Sequence, residues 1–210
     1  LGVDGPVIWS QLTDAANKRL LELASSPLML WLIKEAWLEA KARQNGNSVR
    51  MPDNRGELYK QFVQRLLRMD RDRNLHRIPD EQLLAALQEL ALKYHEEQTL
   101  TKTTPDAAQV VGDDAVFDVL RRSGLLQGES ELRFAPHQTM QEHFAARAIL
   151  ADIAAEASKR GFARMVRRFR LRSSVLDYTD QDFWWETFIQ MAGIVDDPNA
   201  LALAIAERNP

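Results

Sequence analysis

His137 is the residue of this chain best placed to do chemistry. It follows Pro136 and opens a long amphipathic helix, within the stretch LRFAPHQTMQEHFAARAIL over residues 132–150. A helix N-terminus offers unpaired backbone N–H groups and the positive end of the helix dipole. An imidazole N–H beside them adds a further donor, so the position suits an anion such as a phosphate. The plainer reading is that His137 caps its own helix or packs under the preceding hairpin. Gln141 and Glu142, one turn on, are expected at the helix surface or as capping partners, not as acid–base groups. A second charged feature is the basic run 160–172, with Arg160, Arg164, Arg167, Arg168, Arg170 and Arg172. Such a run can neutralise nucleic-acid phosphates. The acidic residues that follow (Asp177, Asp180, Asp182, Glu186, Asp196, Asp197) offer it partners inside the protein instead.

Several chemistries are excluded. No Gly-x-x-x-x-Gly-Lys-(Ser/Thr) loop, dinucleotide fingerprint or Gly-x-Ser-x-Gly elbow occurs, and there is no cysteine to act as nucleophile or thiolate ligand. The histidines are His76, His95, His137 and His143. His137 and His143 are six apart, which does not put both rings on one side of a helix, and Glu142-His143 is not the His-Glu-x-x-His zinc motif. No catalytic residue and no metal site are expected, and the chain alone is not expected to be an enzyme. The net charge of −3 argues against a whole-chain nucleic-acid binder. No apolar run reaches the length of a membrane span. The lack of cysteine fits a reducing compartment, hence a cytoplasmic location. The start, LGVDGPVIW, has no Met and no signal-peptide pattern, so Leu1 is expected to be a cut point inside a longer protein.

The elements that must position His137 follow from helical periodicity and breakers. Residues 1–11, with two Gly and one Pro, read as an irregular lead-in. Thr13 is expected to cap a short helix to about residue 24. Ser25-Ser26-Pro27 restarts the chain, because Pro at the first helical position after a Ser is a strong start signal. The helix from Pro27 to about residue 44 is apolar nearly all round its first half and is expected to be central and buried. A third helix, from about Asn54 to Arg71, shows Leu58, Phe62, Leu66 and Met69 on one face, widened by Val63 and Leu67. The charge-dense residues 69–77 read as a solvated linker and a domain boundary. Helices are then expected from Asp80 to about residue 97, from Thr103-Thr104-Pro105, and from Asp113-Asp114 to Arg122, with Gly124 as the C-terminal stop. A hairpin through Gly128 precedes the His137 helix. Three helices, a hairpin and a fourth helix form a winged-helix pattern over 78–157. Two more helices, 183–194 and 198–208, read as one helix pair of a solenoid.

Several motifs, in order, resemble the region that follows the nucleotide-binding core in the NACHT branch of signal-transducing NTPases. Residues 20–32, LLELASSPLMLWL, are similar to that family's leucine–Ala–small–Pro-Leu-x-Leu element. Residues 55–67, RGELYKQFVQRLL, look like its Arg-x-x-Leu-Tyr-x-x-Phe helix. The stretch from His137 resembles the His-x-(Ser/Thr)-hydrophobic-Gln-Glu-aromatic part of the family's signature. FWWETFIQMAGIV resembles the helical region beyond it. His143 departs from the usual Tyr or Phe, and Met140 from a common Phe. The resemblance implies that His137 donates to the β-phosphate of ADP in a closed, inactive state and that Pro27 lies against the adenine. It also implies that the phosphate loop and the Mg-binding acidic residues precede Leu1.

The resulting expectation is a mainly α protein. Residues 1–12 would be the end of a preceding core or a lead-in, 13–72 a helical domain, 78–157 a winged helix with a small β-hairpin wing, and 158–210 the start of an α-solenoid. Its implied role is the regulatory part of an ATP/ADP switch, acting with its own upstream nucleotide-binding core and downstream sensor repeats. The family's members oligomerise on activation and commonly act in innate immunity, including defence against phage. The alternative is a winged-helix regulator that binds DNA through 160–172. The acidic start of the 113–122 helix, and Glu129 and Glu131 in the wing, weigh against nucleic acid as a partner. A plain helical scaffold for protein contacts is the third reading.

Overall fold

The computed structural model describes residues 5–14, 18–44, 52, 54–73, 76–160, 182–195 and 197–208. The chain is mainly α-helical, with one small three-stranded antiparallel sheet among the described residues. It divides into two compact units, Leu1–Asp72 and Arg73–Pro210.

The first unit holds α1 (Gly5–Leu12), α2 (Lys18–Leu23), α3 (Pro27–Gln44) and α4 (Arg55–Asp72). The lead-in expected to be irregular is therefore helical. Gly5 and Pro6 occupy the first turn, where the missing proline N–H costs nothing. Thr13 closes α1 and does not open α2: its hydroxyl donates to the Trp9 carbonyl at 2.9 Å. Pro27 is the first residue of α3, as its Ser-Pro context predicts. That helix is not buried all round. Met29, Leu32, Ile33, Ala36 and Trp37 are buried, but Trp31 is 39% exposed and meets Phe62 edge-on at 5.2 Å. The buried face of α4 is likewise turned from the expected one. Leu58, Tyr59, Phe62, Val63 and Leu67 are inside, whereas Met69 is 38% exposed. Asn54 caps α4 by accepting from the Glu57 N–H at 2.9 Å. Glu35 and Glu39 of α3 pair with Arg65 and Arg68 of α4, Arg68 Nη2 lying 2.6 Å from Glu39 Oε1. These half-buried pairs fix the register of an otherwise apolar contact.

The second unit begins with α5 (Asp80–Glu96), β1 (Lys102–Thr103), α6 (Thr104–Val111) and α7 (Asp114–Arg122). β2 (Leu126–Gln127), β3 (Glu131–Phe134) and α8 (Thr139–Arg160) follow, then α9 (Asp182–Ile194) and α10 (Pro198–Arg208). From α5 to β3 the order helix–strand–helix–helix–strand–strand is that of a winged helix. The sheet order is β1-β3-β2, with Lys102 opposite Leu132 and Leu126 opposite Phe134. The expected hairpin is present, and β1 adds a third strand on its outer edge.

Local chemistry explains each boundary. Thr103 caps α6 by accepting from the Asp106 N–H, and Pro105 sits in its first turn. Asp113 caps α7, its Oδ1 accepting from Ala115 and Val116 N–H at 2.9 and 3.1 Å. Gly124 ends that segment at φ +79°, a conformation that suits glycine. Gly128 turns the wing at φ +129°, and a Cβ there would stand 1.8 Å from the Glu131 carbonyl oxygen. Tyr94 donates to the Leu132 carbonyl at 2.9 Å and meets Phe134 edge-on, locking α5 under the sheet. Removing the α7 cap is expected to be felt but not fatal. Asp113→Ala should lower stability by about 1 kcal/mol in chemical denaturation, and a change below a few tenths would mean that water replaces the cap.

Residues 182–194, expected to lie in a separate helical region over 158–210, share a core with α8. Trp184, Phe188 and Met191 of α9 pack with Ala146 and Ile149 of α8 and Leu201 of α10. No helix among the described residues is long and apolar enough to cross a membrane.

Candidate functional site

The first turn of α8 carries the candidate site. β3 ends at Phe134, Ala135 and Phe134 are buried, and the Ala135–Pro136 peptide is cis. The chain then emerges, and His137 is exposed. Its ring caps the helix: Nδ1 accepts from the Thr139 N–H at 3.3 Å, and its carbonyl accepts from the Met140 N–H at 2.9 Å. With Nδ1 an acceptor, a neutral ring carries its proton on Nε2. The capping and ligand readings of His137 are thus compatible, since one nitrogen serves the helix while the other can donate outward.

Gln141 and Glu142 are not at the surface. Both are buried, Gln141 against the end of α5. Gln141 Nε2 lies 2.9 Å from the Thr99 carbonyl and 3.2 Å from His95 Nδ1. A carbonyl can only accept, so that atom is the amide nitrogen and its second N–H points at Nδ1. His95 Nε2 then donates to Thr187 Oγ1 at 2.7 Å. The imidazole is also held by aromatic rings of α9, with Phe183 at 4.9 Å and Trp184 edge-on at 5.0 Å between centroids. Burial pushes the His95 pKa down to about 4, against a smaller upward pull from the Ala91 carbonyl. The ring is neutral at physiological pH.

His143 is a second buried, neutral imidazole. Burial and the nearby Arg147 guanidinium push it down to about 3, opposed by a hydrogen bond with Gln190. It is a polar ring within the α8–α9 contact.

Pro27 is exposed at the start of α3, so its ring is accessible for an apolar contact. It belongs to the first unit and His137 to the second. The basic run 160–172 lies outside the described residues beyond Arg160, which ends α8. The face that a groove-reading helix would present is described. On α7, Asp113, Asp114 and Asp118 are exposed. Arg121 and Arg122 border a shallow depression with Asp118, Leu126 and Gly128, and Arg121 Nη2 donates to the Gly128 carbonyl at 3.4 Å. Among the described residues no group of three or more His, Asp or Glu could hold a metal ion.

No protein-family model matches this chain, and no curated protein sequence does.

His95 and Thr187 were not distinguishable from ordinary helix residues by motif. One signal was available for His95, which falls four residues after Ala91 on the apolar stripe of α5. A polar ring on a stripe needs buried partners. Nothing in the sequence names those partners, which lie 46 and 92 positions away.

Proposed function

We propose that the chain is the nucleotide-sensing and signal-transmitting part of a NACHT-type ATP/ADP switch protein. The observation that carries this reading is His137: an exposed imidazole at the start of a long helix, with Nδ1 engaged by Thr139 and Nε2 left to donate. The donor chemistry fits a terminal phosphate oxygen, with the α8 dipole adding to it. His137 donates through Nε2 to the β-phosphate of ADP, and Pro27 offers its exposed ring to the adenine. ADP supplies the acceptor that ties the winged helix to its nucleotide-binding core, which also holds the Mg. Exchange for ATP removes that tie and permits oligomerisation, because a ligand shifts an equilibrium only through contacts it makes in one state. The cytoplasm is the matching compartment, and innate immunity, including defence against phage, is the role such switches commonly serve.

DNA binding through residues 160–172 is the competing reading. The exposed carboxylates of α7 would face phosphate in the usual winged-helix dock, which disfavours it.

The test is nucleotide release from the denatured full-length protein, wild type against His137→Ala. Wild type is expected to release near-stoichiometric ADP. The variant should bind about tenfold more weakly, the effect of one hydrogen bond to a charged group. Equal retention reduces His137 to a helix cap. Wild-type protein that carries no nucleotide and binds none on addition overturns the proposal, and a salt-dependent shift of duplex DNA would then favour the alternative.

A further inference from the structure

We propose that Gln141, His95 and Thr187 form a two-state hydrogen-bond relay coupling the first turn of α8, where His137 stands, to helix α9. The three side chains are at most 1% exposed and come from three different helices. Gln141 lies one turn beyond His137, so it moves with that turn. Its amide reaches His95 Nδ1 and the Thr99 carbonyl, and His95 reaches Thr187 on α9.

An apolar trio would fill this space without unsatisfied groups. What a polar trio adds is a second arrangement. If the first turn of α8 shifts, Nδ1 loses its Gln141 donor and becomes a buried unsatisfied acceptor. The ring cannot swing away, because Phe183 and Trp184 hold it. The remaining response is a change of tautomer. Nδ1–H then turns toward its own helix, where the Ala91 carbonyl, one turn back, is the acceptor the relay requires. Nε2 becomes an acceptor, and the Thr187 hydroxyl changes from accepting to donating. No proton is gained or lost; one N–H proton exchanges between ring nitrogens and one hydroxyl turns. The α9 end of the relay thereby registers a movement at the α8 end. A discrete two-state element of this kind is what coupling between sites requires. Gln141, His95 and Thr187 are positioning residues in this scheme. The relay rests on the nucleotide-sensing reading only for its trigger.

The experiment is a double-variant cycle in the full-length protein, using Gln141→Leu, Thr187→Val and both together. Backbone hydrogen exchange of α9 and the 15N shifts of His95 are read with and without added ADP. Without nucleotide, Gln141→Leu is expected to move His95 from the Nε2–H to the Nδ1–H form. It should speed exchange at Phe188 and Met191 about tenfold, the equivalent of one buried hydrogen bond. Thr187→Val should do the same to exchange, and the double variant should be no worse than either single one. Additive effects, or an unchanged His95 tautomer in Gln141→Leu, overturn the relay, because a merely structural trio would lose each bond independently. In wild type, ADP should change both the tautomer and α9 exchange. Bound ADP that changes neither overturns the relay while leaving the nucleotide reading intact. Protein that binds no ADP but passes the nucleotide-free cycle retains the relay and loses that trigger.

Discussion

Acidification from pH 8 to pH 5 should destabilise the second unit by about 4 kcal/mol. His95 and His143 are held in the fold at about 4 and about 3, chiefly because burial disfavours the charged ring. An unfolded histidine titrates near 6.5, so the unfolded chain takes up protons that the native one refuses. The sign follows. Stability is full above the unfolded value and falls as pH drops below about 6.5, each ring contributing roughly 2 kcal/mol by pH 5. The loss continues to about pH 4 for His95 and pH 3 for His143, where the native rings protonate in turn. Urea unfolding at several pH values, followed by circular dichroism, measures it. His143→Phe, which replaces the buried imidazole by an apolar ring, should remove about half of the pH dependence. A midpoint that stays constant between pH 8 and pH 5 would mean that water reaches both rings.

Trp184→Ala should cost about 4 kcal/mol and detach α9 from α8. The indole is 1% exposed, packs in the cluster of Ala146, Ile149, Phe188, Met191 and Leu201, and meets the His95 ring edge-on. Truncation leaves a cavity that two helices cannot close without breaking the His95–Thr187 bond. Trp185, its neighbour, is 57% exposed, and Trp185→Ala should change stability by less than about 0.5 kcal/mol. The pair separates packing from composition, since both variants lose the same side chain from the same helix. Thermal melting reads the difference directly. Comparable losses at the two positions would place α9 in the opposite rotation on α8.

These expectations converge on the α8–α9 contact. His137 stands at one end of α8, the relay begins one turn later, and His143 and the Trp184 cluster follow along the same helix. A contact that mixes an apolar cluster with two neutral imidazoles is stable at neutral pH yet has more than one hydrogen-bond arrangement. The proposed relay needs that combination more than it needs maximal stability.

The sequence by itself determined what depends on a few adjacent residues. Ser26-Pro27, Asn54, Thr103-Thr104-Pro105, Asp113 and Gly124 begin and end helices through backbone groups within four positions of themselves, so their effect is readable without the fold. The same holds for the mainly α class, the hairpin at Gly128 and the exposed imidazole at the start of α8. Tertiary structure decided what depends on distant partners. β1 exists only because Lys102 and Thr103 pair with Leu132 and Glu131, thirty and twenty-eight residues on. Which faces of α3 and α4 turn inward was settled by their mutual packing and by the Glu35, Glu39, Arg65 and Arg68 pairs, since helical periodicity leaves rotation free by a residue. Gln141 and Glu142 look like surface residues in the sequence, yet the fold buries both, Gln141 against the end of α5. His95, silent in any motif, becomes the link between three helices because burial forces each of its ring nitrogens to find a partner, and only the folded chain brings those partners within reach.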